Sequence, residues 1–168
     1  MNKEVAVISP LSTETVSYQS KADLLMQSFV GEKYQHYYQR KFSKIAAKNL
    51  IYGFNICAFL FSAVWLYYRK MYLYGTIMVS LLIGMLILEN LYGFQGQGVL
   101  IALSAVTGLV GNGLYKNFAE KKIAGLRRRN VPQLQVAVQQ AGGTNLGLAL
   151  VLLTLFFVVS FVHTLMWR

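Results

Sequence analysis

Residues 53–74 read Gly-Phe-Asn-Ile-Cys-Ala-Phe-Leu-Phe-Ser-Ala-Val-Trp-Leu-Tyr-Tyr-Arg-Lys-Met-Tyr-Leu-Tyr, an aromatic-rich apolar run that stops at the Arg69-Lys70 pair. The uncharged part is about 15 residues long, whereas a helix needs about 20 to cross a bilayer core of roughly 30 Å. It is a poor spanning helix. Whether it crosses decides the side on which every charged segment lies, so the fold turns on it.

Downstream the pattern is plainer. Residues 71–91 are uncharged until Glu89 and carry Tyr72, Tyr74 and Tyr92 at their ends, as a spanning helix with interfacial aromatics does. Gly93-Phe94-Gln95-Gly96-Gln97-Gly98 is a turn without a basic residue. Residues 99–114 form a second span, rich in small side chains, in which Ser104 and Gly108 make a small-xxx-small pair that lets another helix approach closely. Residues 146–167 are uncharged throughout and end at Trp167-Arg168, giving the strongest span of the chain. Asn112 and Asn145 fall at the inner ends of two of these helices, where an amide–amide hydrogen bond is expected to join them. The small-residue helix is expected to pack on 146–167 of the same chain, with a second copy as the alternative.

Upstream, residues 1–20 are polar and read as a disordered tail without a cleavable leader. A short helix follows, with Ala22, Leu25, Met26 and Phe29 at helical spacing up to Gly31. Over 32–51, Tyr34, Tyr38, Phe42 and Ile45 share one helical face while Lys33, Lys41, Lys44 and Lys48 share the next. That pattern predicts a helix lying in the headgroup layer, the alternative being a helix packed on a partner through its tyrosines. The basic helices thus occupy 21–52 and the membrane domain 53–168, with an amphipathic basic segment over 115–145.

Lysine and arginine counts set the sidedness. Seven precede Gly53, none falls in 93–98, and six fall in 115–145, Arg127, Arg128 and Arg129 among them. The 93–98 turn is therefore outside and the amino terminus inside. If 53–68 crossed, it would export the seven amino-terminal cations. The short run is instead expected to dip in and return, or to lie tilted in the inner leaflet. The fold class is all-α and integral to the membrane, with three spanning helices and one short embedded helix.

A net charge of +10 and 55% hydrophobic residues sit together here. Because the cations flank apolar blocks, they read as membrane flanks and not as a nucleic-acid surface. Lys41, Lys44, Lys48, Arg69, Lys70, Arg127, Arg128 and Arg129 are expected to meet anionic lipid headgroups. Cys57 is the only cysteine, and His36 and His163 fall on opposite sides of the proposed bilayer, so no metal or cofactor site is expected. No nucleophile–base pair or carboxylate pair is visible, and an enzyme is not expected. Helix packing is assigned to Ser104, Gly108, Asn112 and Asn145, with a membrane-protein partner or a homo-oligomer as possible company. An accessory transporter subunit or a small channel is the alternative class, although 71–91 offers a pore only Thr76 and Ser80.

Phe54-Asn55-x-x-Ala58-Phe59-x-Phe61-x-x-x-Trp65-Leu66-x-Tyr68-Arg69-Lys70-Met71-Tyr72 resembles the signature of a bacterial family of small inner-membrane proteins classed under a domain of unknown function. The likeness extends to Tyr38-x-x-Lys41-Phe42, Gly111-Asn112-x-Leu114-Tyr115 and Gly142-Gly143-Thr144, covering roughly 30–150. One departure is Ser62-Ala63, where members often carry Gly-Pro, which removes a helix breaker. The resemblance implies a cytoplasmic-membrane location and no established enzymatic activity. In the branch named for ciprofloxacin tolerance, it implies a part in envelope homeostasis.

Overall fold

The computed structural model describes residues 21–45, 51–93 and 96–166, which are helical apart from short connections and contain no strand. The 1–20 tail, Lys48, Phe94-Gln95 and Trp167-Arg168 lie outside the described residues. Helix α1 covers 21–30. Helix α2 opens with a widened π turn, Tyr34–Tyr38, and continues as Gln39–Lys44. Then come α3 (Ile56–Tyr68), α4 (Tyr72–Tyr92), α5 (Gln97–Arg128), α6 (Leu134–Ala141) and α7 (Leu146–Met166).

Helices α4, α5 and α7 are long and apolar enough to cross a membrane, and α3 is the shorter apolar helix. Leu73, Ile77, Leu81, Val151, Phe156 and Phe157 are all at least half exposed, so α4 and α7 keep most of their apolar surface for something other than this chain. Helix α5 runs unbroken for 32 residues, about 48 Å at 1.5 Å per residue, and therefore outruns a hydrocarbon core of about 30 Å. Its far half carries the soluble-type core.

Helix α3 is built by local signals at both ends. The Asn55 side chain accepts from the Ala58 amide at 3.0 Å, capping the first turn. At the other end Lys70 takes a left-handed φ of 57°. Its amide donates to Tyr67 and that of Met71 to Leu66, a Schellman closure with Lys where Gly is usual. The buried Leu66 and Met71 make the apolar contact that accompanies it. Inside the helix Ser62 breaks the helical conformation, with φ 35° and ψ −105°. The kink falls at a Ser-Ala pair, with neither glycine nor proline to break the helix.

Both ends of α3 meet nearly the same level of α5. The Asn55 amide donates to the Gly108 carbonyl at 2.8 Å, and the Arg69 guanidinium lies 4.9 Å from the Tyr115 ring centre. Gly108 and Tyr115 are about 10 Å apart along α5, half the roughly 20 Å that 13 residues of unbroken helix would span, and the kink at Ser62 contributes to that shortening. Helix α3 thus lies obliquely across α5. Ile45, at the end of α2, offers its carbonyl to Lys116 of α5 at 2.7 Å, so α2 ends on the same side as α3. A kinked α3 with both ends near this level of α5 fits either expected geometry of the short run, tilted or dipping in and returning.

The small residues of α5 make that crossing possible. A Cβ on Gly108 would stand 2.7 Å from the Phe54 ring and 2.9 Å from the Phe59 Cβ, and one on Gly111 would meet Ala58 at 3.0 Å. The expected pairing of this stripe with α7 is corrected here: its partner is α3, which also packs on α4 and α7. The link before α7 forms a joint. Gly142 lies flush against the Phe29 carbonyl, and the Gly143 amide donates to that carbonyl at 2.7 Å. Next to it, the Asn145 amide donates to Tyr68 at 2.8 Å.

Ser62 adopts a backbone region that only Gly enters freely, at about 1–3 kcal/mol for other residues. Ser62→Gly should therefore stabilise the protein by about 1 kcal/mol, read as a higher melting temperature in detergent. A lower melting temperature would mean that the seryl side chain holds the kink.

Candidate functional site: a buried arginine beside an amphipathic groove

The aromatic face expected in the headgroup layer is instead buried in the protein. Tyr34, Tyr38, Phe42 and Ile45 are each no more than 4% exposed. They surround Tyr115, whose ring centre lies 5.3 Å from that of Tyr38, 6.1 Å from Phe42, 6.2 Å from Trp65 and 6.3 Å from Phe29. The periodic stripe was legible, but its partner, Tyr115, is far away in sequence. Tyr34 is tied to α1 by a hydrogen bond from its hydroxyl to Asp23 at 2.8 Å. Burial, reinforced by that carboxylate, pushes its phenol pKa well up.

Arg69 enters this cluster and is 3% exposed. Its expected place at lipid headgroups is corrected by that burial. The guanidinium lies 4.8 Å from the ring centre of Tyr38, 4.9 Å from Tyr115 and 5.4 Å from Tyr68, and Nη2 donates to the Tyr38 hydroxyl at 3.0 Å. Ring faces attract a cation by about 2 kcal/mol or more once water is excluded. Burial raises the Tyr38 phenol pKa, outweighing the opposing pull of Arg69. The phenol therefore stays neutral near pH 7 and brings no compensating charge. The only ion pair among the described residues is Lys116–Glu120 at 3.9 Å, and the Arg69 Nε has no hydrogen-bond partner. Among the described residues, this buried cation has no anionic partner.

Beside it a groove of about 1050 Å³ runs between α2, α3 and α7. Lys33, His36, Lys41 and Arg69 lie on its polar side with Glu32, while Phe61, Val64, Leu150 and Leu153 line its apolar side. Lys41 already donates to the Phe54 carbonyl at 3.2 Å and stands 3.8 Å over the Tyr37 ring.

The remaining expected residues are dispersed. Lys44 is exposed, with its ammonium 5.5 Å from the Tyr52 ring centre, and Lys70 donates to the Gln140 carbonyl at 3.1 Å. Arg127, Arg128 and Arg129 are exposed at the far end of α5, and Ser104 is half-buried above the crossing. Asn112 and Asn145 do not join each other. Asn112 accepts from the Asn55 side-chain amide at 3.1 Å and donates to the Gly53 carbonyl at 2.7 Å. Asn145 caps α7 through Leu148 at 3.1 Å and donates to the Tyr72 hydroxyl at 3.1 Å. Sequence reasoning missed Asn55 as the partner of Asn112, and also Lys116, which closes the end of α2 through the carbonyls of Phe42 at 2.8 Å and Ile45 at 2.7 Å. An asparagine directly before an apolar run was the available signal for Asn55.

These features define an all-helical protein of the membrane-spanning class, organised about a short oblique helix and a caged arginine. A family model described as "Protein of unknown function (DUF2628)" matches residues 18–121, more than half of the chain, and the chain belongs to that family. The matched range holds the asparagine pair, the arginine cage and α5 as far as Lys121, and leaves α6 and α7 beyond it. No match to a curated protein or to a solved structure was found.

Burying an ion carries a desolvation penalty of several kcal/mol, and an apolar residue of similar volume is often tolerated in its place. A lysine at 69 would keep that penalty while losing the planar stack and the directed N–H. Arg69→Lys should therefore melt at a lower temperature in detergent than Arg69→Met. The reverse order would show that positive charge alone, and not the planar stack, holds the cage.

Proposed function

We propose that this chain is a non-enzymatic protein of the bacterial cytoplasmic membrane that engages anionic lipid on its cytoplasmic face and serves as an interaction component there. The supporting observation is the charge asymmetry along α5. Arg127, Arg128 and Arg129 stand exposed at one end, together with Lys44 at the end of α2, whereas the 93–98 turn at the other end contains no lysine or arginine. By the positive-inside rule the basic end is cytoplasmic, and with it the amino terminus. In this reading α3 lies in the inner leaflet, and α1, α2 and α6 form a cap over the inner ends of the spans. Lys41 and Lys70, whose ammonium groups already bond carbonyls, contribute field more than direct headgroup contact. The exposed apolar faces of α4 and α7 face lipid or a membrane partner.

A channel is the weaker reading. Of the polar pair in the first part of α4, Thr76 is engaged by the Tyr67 hydroxyl at 2.9 Å, which leaves Ser80 on an otherwise apolar face. Envelope homeostasis and ciprofloxacin tolerance are the physiological setting that the signature resemblance implies.

Each cation near an anionic leaflet contributes about 1 kcal/mol of attraction. In polymer-bounded discs extracted from a mixed phosphatidylglycerol and phosphatidylcholine membrane, the parent protein should carry phosphatidylglycerol above its bulk share. Reversing Arg127, Arg128 and Arg129 together to Glu should bring the disc composition close to bulk. Bulk composition around the parent protein would contradict the lipid-engaging role.

A further inference from the structure

The groove between α2, α3 and α7 combines two chemistries that no ordinary small solute satisfies together. One side presents Lys33, His36, Lys41 and the edge of Arg69, with Glu32 at the rim. The other is a strip of Phe61 and Val64 from α3 facing Leu150 and Leu153 from α7. Lys33 and His36 are exposed, and so are Phe61 and Leu150, so the groove is open along both its basic and its apolar parts. At about 1050 Å³ it is far larger than an inorganic anion and stands at the top of the range of about 300–1,000 Å³ usual for small-molecule clefts.

Arg69 adds a buried positive charge to the wall of this groove. Its side chain is almost completely buried, it lines this groove, and its Nε–H has no acceptor. The Nε is enclosed within the cage, out of reach of the groove, so the guanidinium acts on a bound anion through its field. Lys41 spends one N–H on Phe54, but an ammonium has three, so it remains able to donate to an anion. The apolar strip by itself would accept any acyl chain, and the basic side any phosphate. Only a molecule carrying both fills the groove.

We infer that the groove seats one anionic phospholipid, its phosphate held by Lys41 and Lys33 in the field of the buried Arg69, and an acyl chain laid along Phe61, Leu150 and Leu153. This rests on the membrane reading of the preceding subsection but differs from it in kind: a single retained molecule replaces a diffuse attraction to a surface. The phospholipid also brings an anion close to the caged arginine, which has none among the described residues.

The experiment is native mass spectrometry of the full chain, delipidated in detergent and titrated with phosphatidylglycerol, phosphatidylcholine or inorganic phosphate. Phosphatidylglycerol should be retained one to one, at least tenfold more tightly than phosphatidylcholine, with phosphate alone neither retained nor competing at the same concentration. Lys33→Gln with Lys41→Gln should lower retention about tenfold. Leu153→Trp should lower retention of both phospholipids by occupying the acyl strip. Because Lys41 also touches Phe54, the detergent melting curve of each variant is recorded, and Lys33→Gln alone must still weaken retention. Equal retention of the two phospholipids would reduce the site to an apolar crevice, and retention of phosphate in their place would make it a free-anion site. Either result, or no retention at all, overturns the inference. The arginine triple reversal at 127–129 should leave one-to-one retention intact. If the parent shows no phosphatidylglycerol enrichment in discs yet retains one molecule here, the surface reading fails alone. Enrichment without retention sinks only the groove.

Discussion

A short non-helical link, Gly53 to Asn55, is pressed against the middle of a helix of membrane-spanning length, and its backbone polar groups need partners outside any helix of their own. Several of them find one within the protein. The Gly53 carbonyl accepts from the Asn112 side chain, the Phe54 carbonyl from Lys41, and the Asn55 amide donates to Gly108. The two asparagines, both buried, then bond each other. Losing one such partner leaves a buried group unpaired at about 1–3 kcal/mol. This clasp fixes the level of α5 at which α3 begins.

The rest follows from where the clasp puts α3. Its start is fixed at Gly108 and its length carries it only to Tyr115, so Arg69 is delivered among the tyrosines of α2 and α5 and not to an exposed boundary. The same endpoint brings Tyr68 and Tyr72 to the Asn145 joint, from which α7 rises. Glycine at 108 and 111 permits the approach. The groove between α3 and α7 is the space left where an oblique helix meets an upright one.

Much of this was legible in the sequence. Uncharged length identified α4 and α7, and the shortness of the apolar run before Arg69-Lys70 marked α3 as the shorter apolar helix. The small residues of 99–114 correctly announced a close helix approach. They could not name the partner, because a stripe of glycine and serine records only that a neighbour comes near. Likewise Tyr34, Tyr38, Phe42 and Ile45 shared a face as read, but an aromatic face serves lipid and protein equally well, and Tyr115 lies too far along the chain to be paired by periodicity. Arg69 was misplaced for the related reason that a cation ending an apolar run normally marks an interface. Its cage is assembled from three segments. Asn112 and Asn145 looked alike, yet one clasps α3 while the other caps α7.

The account stands on α2 and the far end of α5 sharing one side of the membrane, with α3 not crossing between them. Cys57 is the only cysteine, so a Cys57→Ser background gives clean single-site labelling with Ser43→Cys, Gln97→Cys and Arg129→Cys, all at exposed positions. A membrane-impermeant maleimide, applied to intact cells and to inverted vesicles, should reach positions 43 and 129 from the same side and position 97 from the opposite one. Labelling of 43 together with 97, and of 129 from the other side, would mean that α3 spans the membrane and would contradict the account.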